Sequence, residues 1–121
     1  MNLPRKKVTN QTNRKVLVQN LELAHTLSKR IIGLMGRPLL PNGEGLLIKR
    51  SGNSIHTFFM KFPIDLVFLN SKGQVKHLAK NIRPWRIVVA PLFSQTDCLE
   101  LPAGTIENTE TKIGDILSVE A

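Results

Sequence analysis

Tyrosine is absent from this 121-residue chain, and cysteine and tryptophan occur once each, as Cys98 and Trp85. One cysteine excludes an internal disulfide framework and suits a reducing compartment. The first fifteen residues hold no apolar core of the kind a secretory leader needs, and no apolar run is long enough to span a bilayer. A cytoplasmic protein without a membrane span is therefore the expectation. Missing as well are a Gly-x-Ser-x-Gly elbow, a phosphate-cradling Gly-x-x-x-x-Gly-Lys-Ser/Thr loop, a Cys-x-x-Cys pair and a His-x-His pair. The familiar serine hydrolases and nucleotide hydrolases fall away with them, and neither a metal nor a cofactor is implied.

What is present is concentrated between Ile55 and Leu69, where four of the five phenylalanines, a proline and one carboxylate lie together. Pro63 fixes its own φ and pushes Phe62 out of the helical region, so the run reads as two extended pieces. From Ile64 to Leu69 the period of two places Ile64, Leu66 and Phe68 on one face and Asp65, Val67 and Leu69 on the other. Asp65 is then an ionisable group between apolar faces, and it needs a hydrogen-bond donor or a path to solvent.

The formal charge of +8 is divided unevenly. Residues 1 to 86 hold 16 Lys and Arg against Glu22, Glu44 and Asp65, a formal +13, while residues 87 to 121 hold Lys112 against six acids, a formal −5. Either the basic part attracts nucleic acid or another anionic surface, or the acidic C-terminal third pairs with it inside one fold.

Residues 1 to 14 are polar and basic, without periodicity, and are expected to form a flexible basic arm ahead of a single β-rich domain over residues 15 to 121. Lys15 to Leu23 reads as a strand with a kink near Asn20. Thr26 or Ser28 caps an expected helix running to about Met35, on the stripe Leu27, Ile31, Leu34 and Met35, with Gly36 and Pro38 as its stop. Short strands follow at Leu46–Ile48, Ile87–Ala90, Cys98–Leu101 and Ile116–Val119, and Asn70-Ser71-Lys72-Gly73 makes a hairpin loop between Ile64–Leu69 and Gln74–Ile82. Such a chain should be mainly β, a compact sandwich or partly open barrel with one short helix near its N-terminus.

An ordered set of segments resembles a known family: Arg30-Ile31-Ile32-Gly33-Leu34-Met35-Gly36-Arg37, Gly43-Glu44-Gly45-Leu46-Leu47, His56-Thr57-Phe58-Phe59-Met60-Lys61-Phe62-Pro63-Ile64-Asp65, Leu99-Glu100-Leu101-Pro102-Ala103-Gly104 and Gly114-Asp115. Over about residues 20 to 119 the chain is similar to the bacterial and archaeal family known as domain of unknown function 192. The resemblance implies a compact, jelly-roll-like β domain with no established activity. This chain departs from the commoner form, in which Trp-Met-Lys-Asn-Thr stands where Phe59-Met60-Lys61-Phe62-Pro63 stands here. That change removes a side-chain amide and a hydroxyl near Asp65.

The candidate functional residues are Arg37, His56, Asp65, Trp85 and Glu100, expected around one cleft. Asp65 and Glu100 are either an acid and base pair or structural carboxylates held by Arg30 or Arg37. Trp85, between Arg83-Pro84 and Arg86, either stacks on a sugar or base or plugs one end of the fold. Cys98 is either a nucleophile served by His25, His56 or His77, or a small buried hydrophobe. The leading reading is a non-catalytic binding or accessory domain for a small polar or anionic ligand or a partner protein. The alternatives are nucleic-acid binding through the basic N-terminal part and an enzyme using Asp65 with Glu100.

Overall fold

The computed structural model describes residues 6–24, 26–91 and 96–120. Among the described residues nine strands and two short helices follow one another: β1 (Lys6–Asn10), β2 (Val16–Ala24), α1 (Leu27–Ile32), β3 (Glu44–Ile48), β4 (Ser54–His56), β5 (Ile64–Leu69), β6 (Val75–Ile82), β7 (Ile87–Val89), β8 (Asp97–Pro102), α2 (Thr105–Asn108) and β9 (Leu117–Glu120). Seven strands form one sheet in the order β6-β5-β8-β3-β2-β1-β9, and β4 pairs with β7 in a separate two-stranded ribbon. All described pairings are antiparallel except β2 with β3, whose connection carries α1.

The large sheet curls until its two ends meet. Gln74 bridges Ile116, the Leu117 N–H donates to the Gly73 carbonyl at 2.8 Å, and the Val75 N–H donates to the Asp115 carbonyl at 2.8 Å. Gly73 permits this seam, because its φ is +79° and a Cβ there would lie 2.3 Å from the Leu117 carbonyl oxygen. The mainly β expectation is met by one curled sheet rather than by two sheets packed face to face.

Both faces of the sheet centre are buried, and β5 shows why. Val67 and Leu69 join Val8, Val18, Leu47, Leu99, Leu101 and Ile106 in the core on one side. Ile64, Leu66 and Phe68 join Leu46, Ile48 and Cys98 on the other, where Leu34, Ile55, Met60 and Ala90 cover them. This is the division of side chains that the period of two predicts.

Two expectations are corrected. Residues 6 to 14 are no arm: Lys6–Asn10 is a strand held between β2 and β9, with Val8 and Asn10 buried, while residues 1–5 lie outside the described residues. The polar composition hides this strand, because only two of its five side chains turn inward. The single N-terminal helix is also too simple. α1 begins as expected, with the Thr26 Oγ1 accepting from the Lys29 N–H at 3.2 Å, but it stops at Gly33, whose φ of +48° breaks the helical path. A second turn of helix, α2, lies in the C-terminal part.

Candidate functional site

Strands β5 and β8 pair with Asp65 opposite Leu101 and Leu66 opposite Glu100. Directly paired residues share a face, so Glu100 emerges with Leu66 on one side of the sheet and Asp65 with Leu101 on the other. The expected acid and base pair is thereby corrected, because a sheet separates the two carboxyl groups.

Asp65 is fully occupied. Its Oδ1 accepts from the Asn81 N–H at 2.8 Å, and its Oδ2 accepts from the Gly104 N–H at 3.1 Å and the Ile106 N–H at 2.9 Å. The last two belong to the start of α2, whose own N-cap residue Gly104 offers no side-chain acceptor. A buried carboxylate on β5 thus caps a helix far away in sequence, a structural role.

Glu100 is the opposite case. It is 2% exposed, and its Oε1 has no hydrogen-bond partner among the described residues. It lines a cavity of about 380 Å³ together with Gly33, Leu34, Ile48, Ile55, His56 and Met60. Burial pushes its carboxyl from 4.5 up to about 8, against a smaller downward pull from Arg37. At neutral pH the group is therefore mainly protonated, with an O–H donor beside a carbonyl acceptor.

Gly33 closes the site from the helix side. A Cβ at this residue would lie 3.4 Å from the Glu100 Oε1, so the bare backbone lets the chain pass close to the carboxyl. Across Gly33 lies a second, smaller cavity lined by Glu22, Lys29, Arg37 and Leu46. Arg37 bonds Glu22 there at 2.9 Å instead of Glu100, which corrects the expected Arg37 clamp on a buried carboxylate. The Arg30 side chain and His25, also weighed in the sequence, lie outside the described residues.

His56 also lines the larger cavity, with Arg50, Ser51 and Ser54. Its Nδ1 accepts from the Phe58 N–H at 3.1 Å, which places the proton of the neutral ring on Nε2. His77 is elsewhere, against Phe68 at a ring separation of 5.9 Å. Among the described residues no group of three or more His, Cys, Asp and Glu is placed to hold a metal ion. Cys98 is buried, and desolvation first, then the charge of Glu100, hold its thiol well above the usual range. It packs in the core with Leu46, Ile48 and Phe68.

Trp85 does not plug the fold. It is 54% exposed and packs on Phe59 at 4.7 Å and Phe58 at 5.9 Å, and Phe58 in turn touches His56 at 5.0 Å. Of the five residues expected around one cleft, the structure joins His56 with Glu100, sets Trp85 beside them through Phe58, puts Arg37 behind Gly33, and leaves Asp65 on the far side. Sequence reasoning missed Thr57, which is fully buried. Its Oγ1 donates to the Arg83 carbonyl at 2.7 Å and accepts from the Arg86 N–H at 2.8 Å, tying the loop after β4 to the loop before β7. The lone threonine between His56 and Phe58 was the available signal.

The charge division is partly absorbed within the fold. Lys15 bonds Glu110, and Lys49 bonds Asp97 at 2.7 Å, so acids of the C-terminal third meet bases of the N-terminal part. Nucleic-acid binding by a basic arm loses residues 6 to 14, which lie in the sheet and its hairpin.

The sequence profile of the family DUF192, Uncharacterized ACR, matches residues 7–119. The chain is 38% identical over 117 residues to the UPF0127 protein of Thermococcus sibiricus, covering 92% of this chain and 73% of that protein. It is 36% identical over 117 residues to the UPF0127 protein of Thermococcus gammatolerans, with the same coverage of 92% and 73%. Among solved structures, a protein of unknown function from Novosphingobium aromaticivorans superposes with a TM-score of 0.81 at 25% identity, covering 94% of this chain and 83% of that one. A protein from Sinorhizobium meliloti superposes with a TM-score of 0.82 at 24% identity, covering 95% and 92%. No described helix is long and apolar enough to cross a membrane.

Proposed function

Since the chain belongs to the DUF192 family, for which these relatives carry no established activity, we propose from its geometry that it is a non-catalytic receptor for a small, mainly apolar molecule bearing an amide-like edge. The observation that carries this reading is the Glu100 carboxyl, buried in a cavity of about 380 Å³ with an Oε1 that has no hydrogen-bond partner among the described residues. That volume lies at the small end of ligand cavities, roughly 300–1,000 Å³. Leu34, Ile48, Ile55 and Met60 supply apolar walls, and Glu100, His56, Arg50, Ser51 and Ser54 supply the polar lining.

A protonated carboxyl presents one donor and one acceptor side by side, the complement of a lactam or primary amide. Such a ligand would satisfy an oxygen whose isolation costs about 1–3 kcal/mol. An anionic ligand would meet Arg50 at the cavity lining but would also face a Glu100 carboxyl that becomes negative when it loses its proton. Among the described residues no second carboxyl lines this cavity, which argues against acid and base catalysis here. The reading suits a cytoplasmic domain with a free, buried thiol.

The test is a ligand-observed NMR screen of small lactams, primary amides and matched hydrocarbons at pH 6.5. Amides should bind and the hydrocarbons should bind more weakly. Glu100→Leu, which keeps the core apolar, should abolish the amide preference while the protein stays folded. Equal binding of amides by the folded variant, or amide contacts that map away from Ile55 and Met60, would overturn the proposal.

A further inference from the structure

We propose that the corner formed by Phe59, Trp85, Ile87 and Val89 is a docking surface for an anionic lipid membrane. These four side chains are 58%, 54%, 64% and 64% exposed, more than a folded domain gains by leaving large apolar groups in water. They lie close together. Phe59 and Trp85 are in ring contact, and Ile87 and Val89 follow on the outer face of β7 while Val88 packs inward.

The backbone holds the rings outward. Phe59 has φ +62° and Trp85 φ +65°, a left-handed conformation that large side chains rarely adopt. Thr57 locks both loops, and the Trp85 N–H donates to the Thr57 carbonyl at 2.9 Å. A pair of aromatic tips fixed at the end of a sheet is a means of entering an interface without a change of fold.

The charge around the corner selects the surface. Lys61, Arg83 and Arg86 flank the apolar tips and are exposed, and none of them forms an ion pair among the described residues. No Asp or Glu occurs from residue 51 to 64 or from residue 66 to 96. Aromatic and aliphatic groups at the acyl boundary with cations at the level of lipid phosphates form a favourable interfacial arrangement. A single-stranded nucleic acid would use the rings and the cations, but it has no use for Ile87 and Val89, which offer neither a stacking plane nor a hydrogen bond.

Trp85 is the sole tryptophan, so its emission reports this corner alone. The full chain is titrated with vesicles of phosphatidylcholine and with vesicles of phosphatidylcholine and phosphatidylglycerol in equal amounts, at physiological salt. Emission should shift to the blue on the anionic vesicles, with partition about 100-fold stronger than on the neutral ones, from three basic residues near the surface. Phe59→Asn, which suits the left-handed backbone, should weaken partition about tenfold by removing one buried ring. Arg83→Gln with Arg86→Gln should remove most of the preference for anionic lipid, with circular dichroism unchanged in every variant. Equal partition into both vesicles, no shift with either, or a response to a single-stranded oligonucleotide without one to vesicles would overturn the proposal, the last assigning the corner to nucleic acid.

Discussion

Replacing Glu100 by glutamine tests the chemistry of the cavity without changing its shape. In the folded protein the carboxyl is pushed up to about 8, whereas an unfolded chain presents a glutamate near 4.5. Between those values the folded state holds a proton that the unfolded state has released. Stability must then fall as pH rises, by about 1.4 kcal/mol per pH unit. The stabilising proton is fully retained in both states below 4.5, and its loss is complete above about 8. Glu100→Gln has no proton to lose and lacks this slope.

Urea unfolding of both proteins at intervals from pH 5 to pH 9 isolates the effect, because every other titrating group cancels in the difference. The natural protein should lose roughly 4 kcal/mol relative to the variant across that range. With a urea slope of about 1–3 kcal/mol per molar, the two midpoints should separate by about 2 M. At pH 5 they should nearly coincide, since glutamine and a protonated glutamate are similar in size and both hydrogen-bond. Parallel stability curves would refute the reasoning, and so would a divergence of opposite sign, which would mean that Glu100 is ionised in the fold and held by a cation such as Arg37.

Two further outcomes follow from the opposite carboxylate and from the thiol. Asp65→Ala leaves the Asn81, Gly104 and Ile106 N–H groups without their acceptor, and urea unfolding should show a loss of about 3 kcal/mol or more; a loss below about 1 kcal/mol would mean that water replaces the carboxylate. Cys98, buried beside Leu46, Phe68 and Glu100, should react with a thiol reagent at pH 8 only as fast as the protein unfolds, and stopped-flow labelling that outpaces unfolding would contradict its assignment to the core.

The central strands were legible because their side chains alternate between two apolar faces, and the period of two in Ile64–Leu69 specifies which residue enters which core. The β5-β6 hairpin was legible in Asn70-Ser71-Lys72-Gly73, where the Asn70 Oδ1 accepts from the Lys72 and Gln74 N–H groups. β1 was not, because its inward residues are Val8 and Asn10, and the latter is buried only by virtue of Asp115, whose Oδ2 accepts from the Asn10 side-chain amide at 2.8 Å. A polar residue satisfied by a partner a hundred positions away reads locally as loop. The end of α1 was misread for a related reason: Leu34 is buried as the helical stripe requires, but it reaches the core after the chain has turned at Gly33.

The candidate site depended on a quantity no single segment contains, the register between β5 and β8. From composition alone Asp65 and Glu100 look alike, each a carboxyl among apolar neighbours. Pairing Leu66 with Glu100 sends them to opposite faces, and the fold treats the two faces differently. On one, α2 supplies backbone N–H groups that hold the Asp65 side chain. On the other, the chain turns away at Gly33 and leaves Glu100 beside a cavity, with no donor to its Oε1 among the described residues. A slip of β5 by one residue in this pairing would turn Asp65 to the Glu100 face, giving the helix cap to an apolar side chain and bringing a second carboxyl to the cavity side. The register therefore decides which carboxyl stabilises the domain and which one is left to meet a ligand.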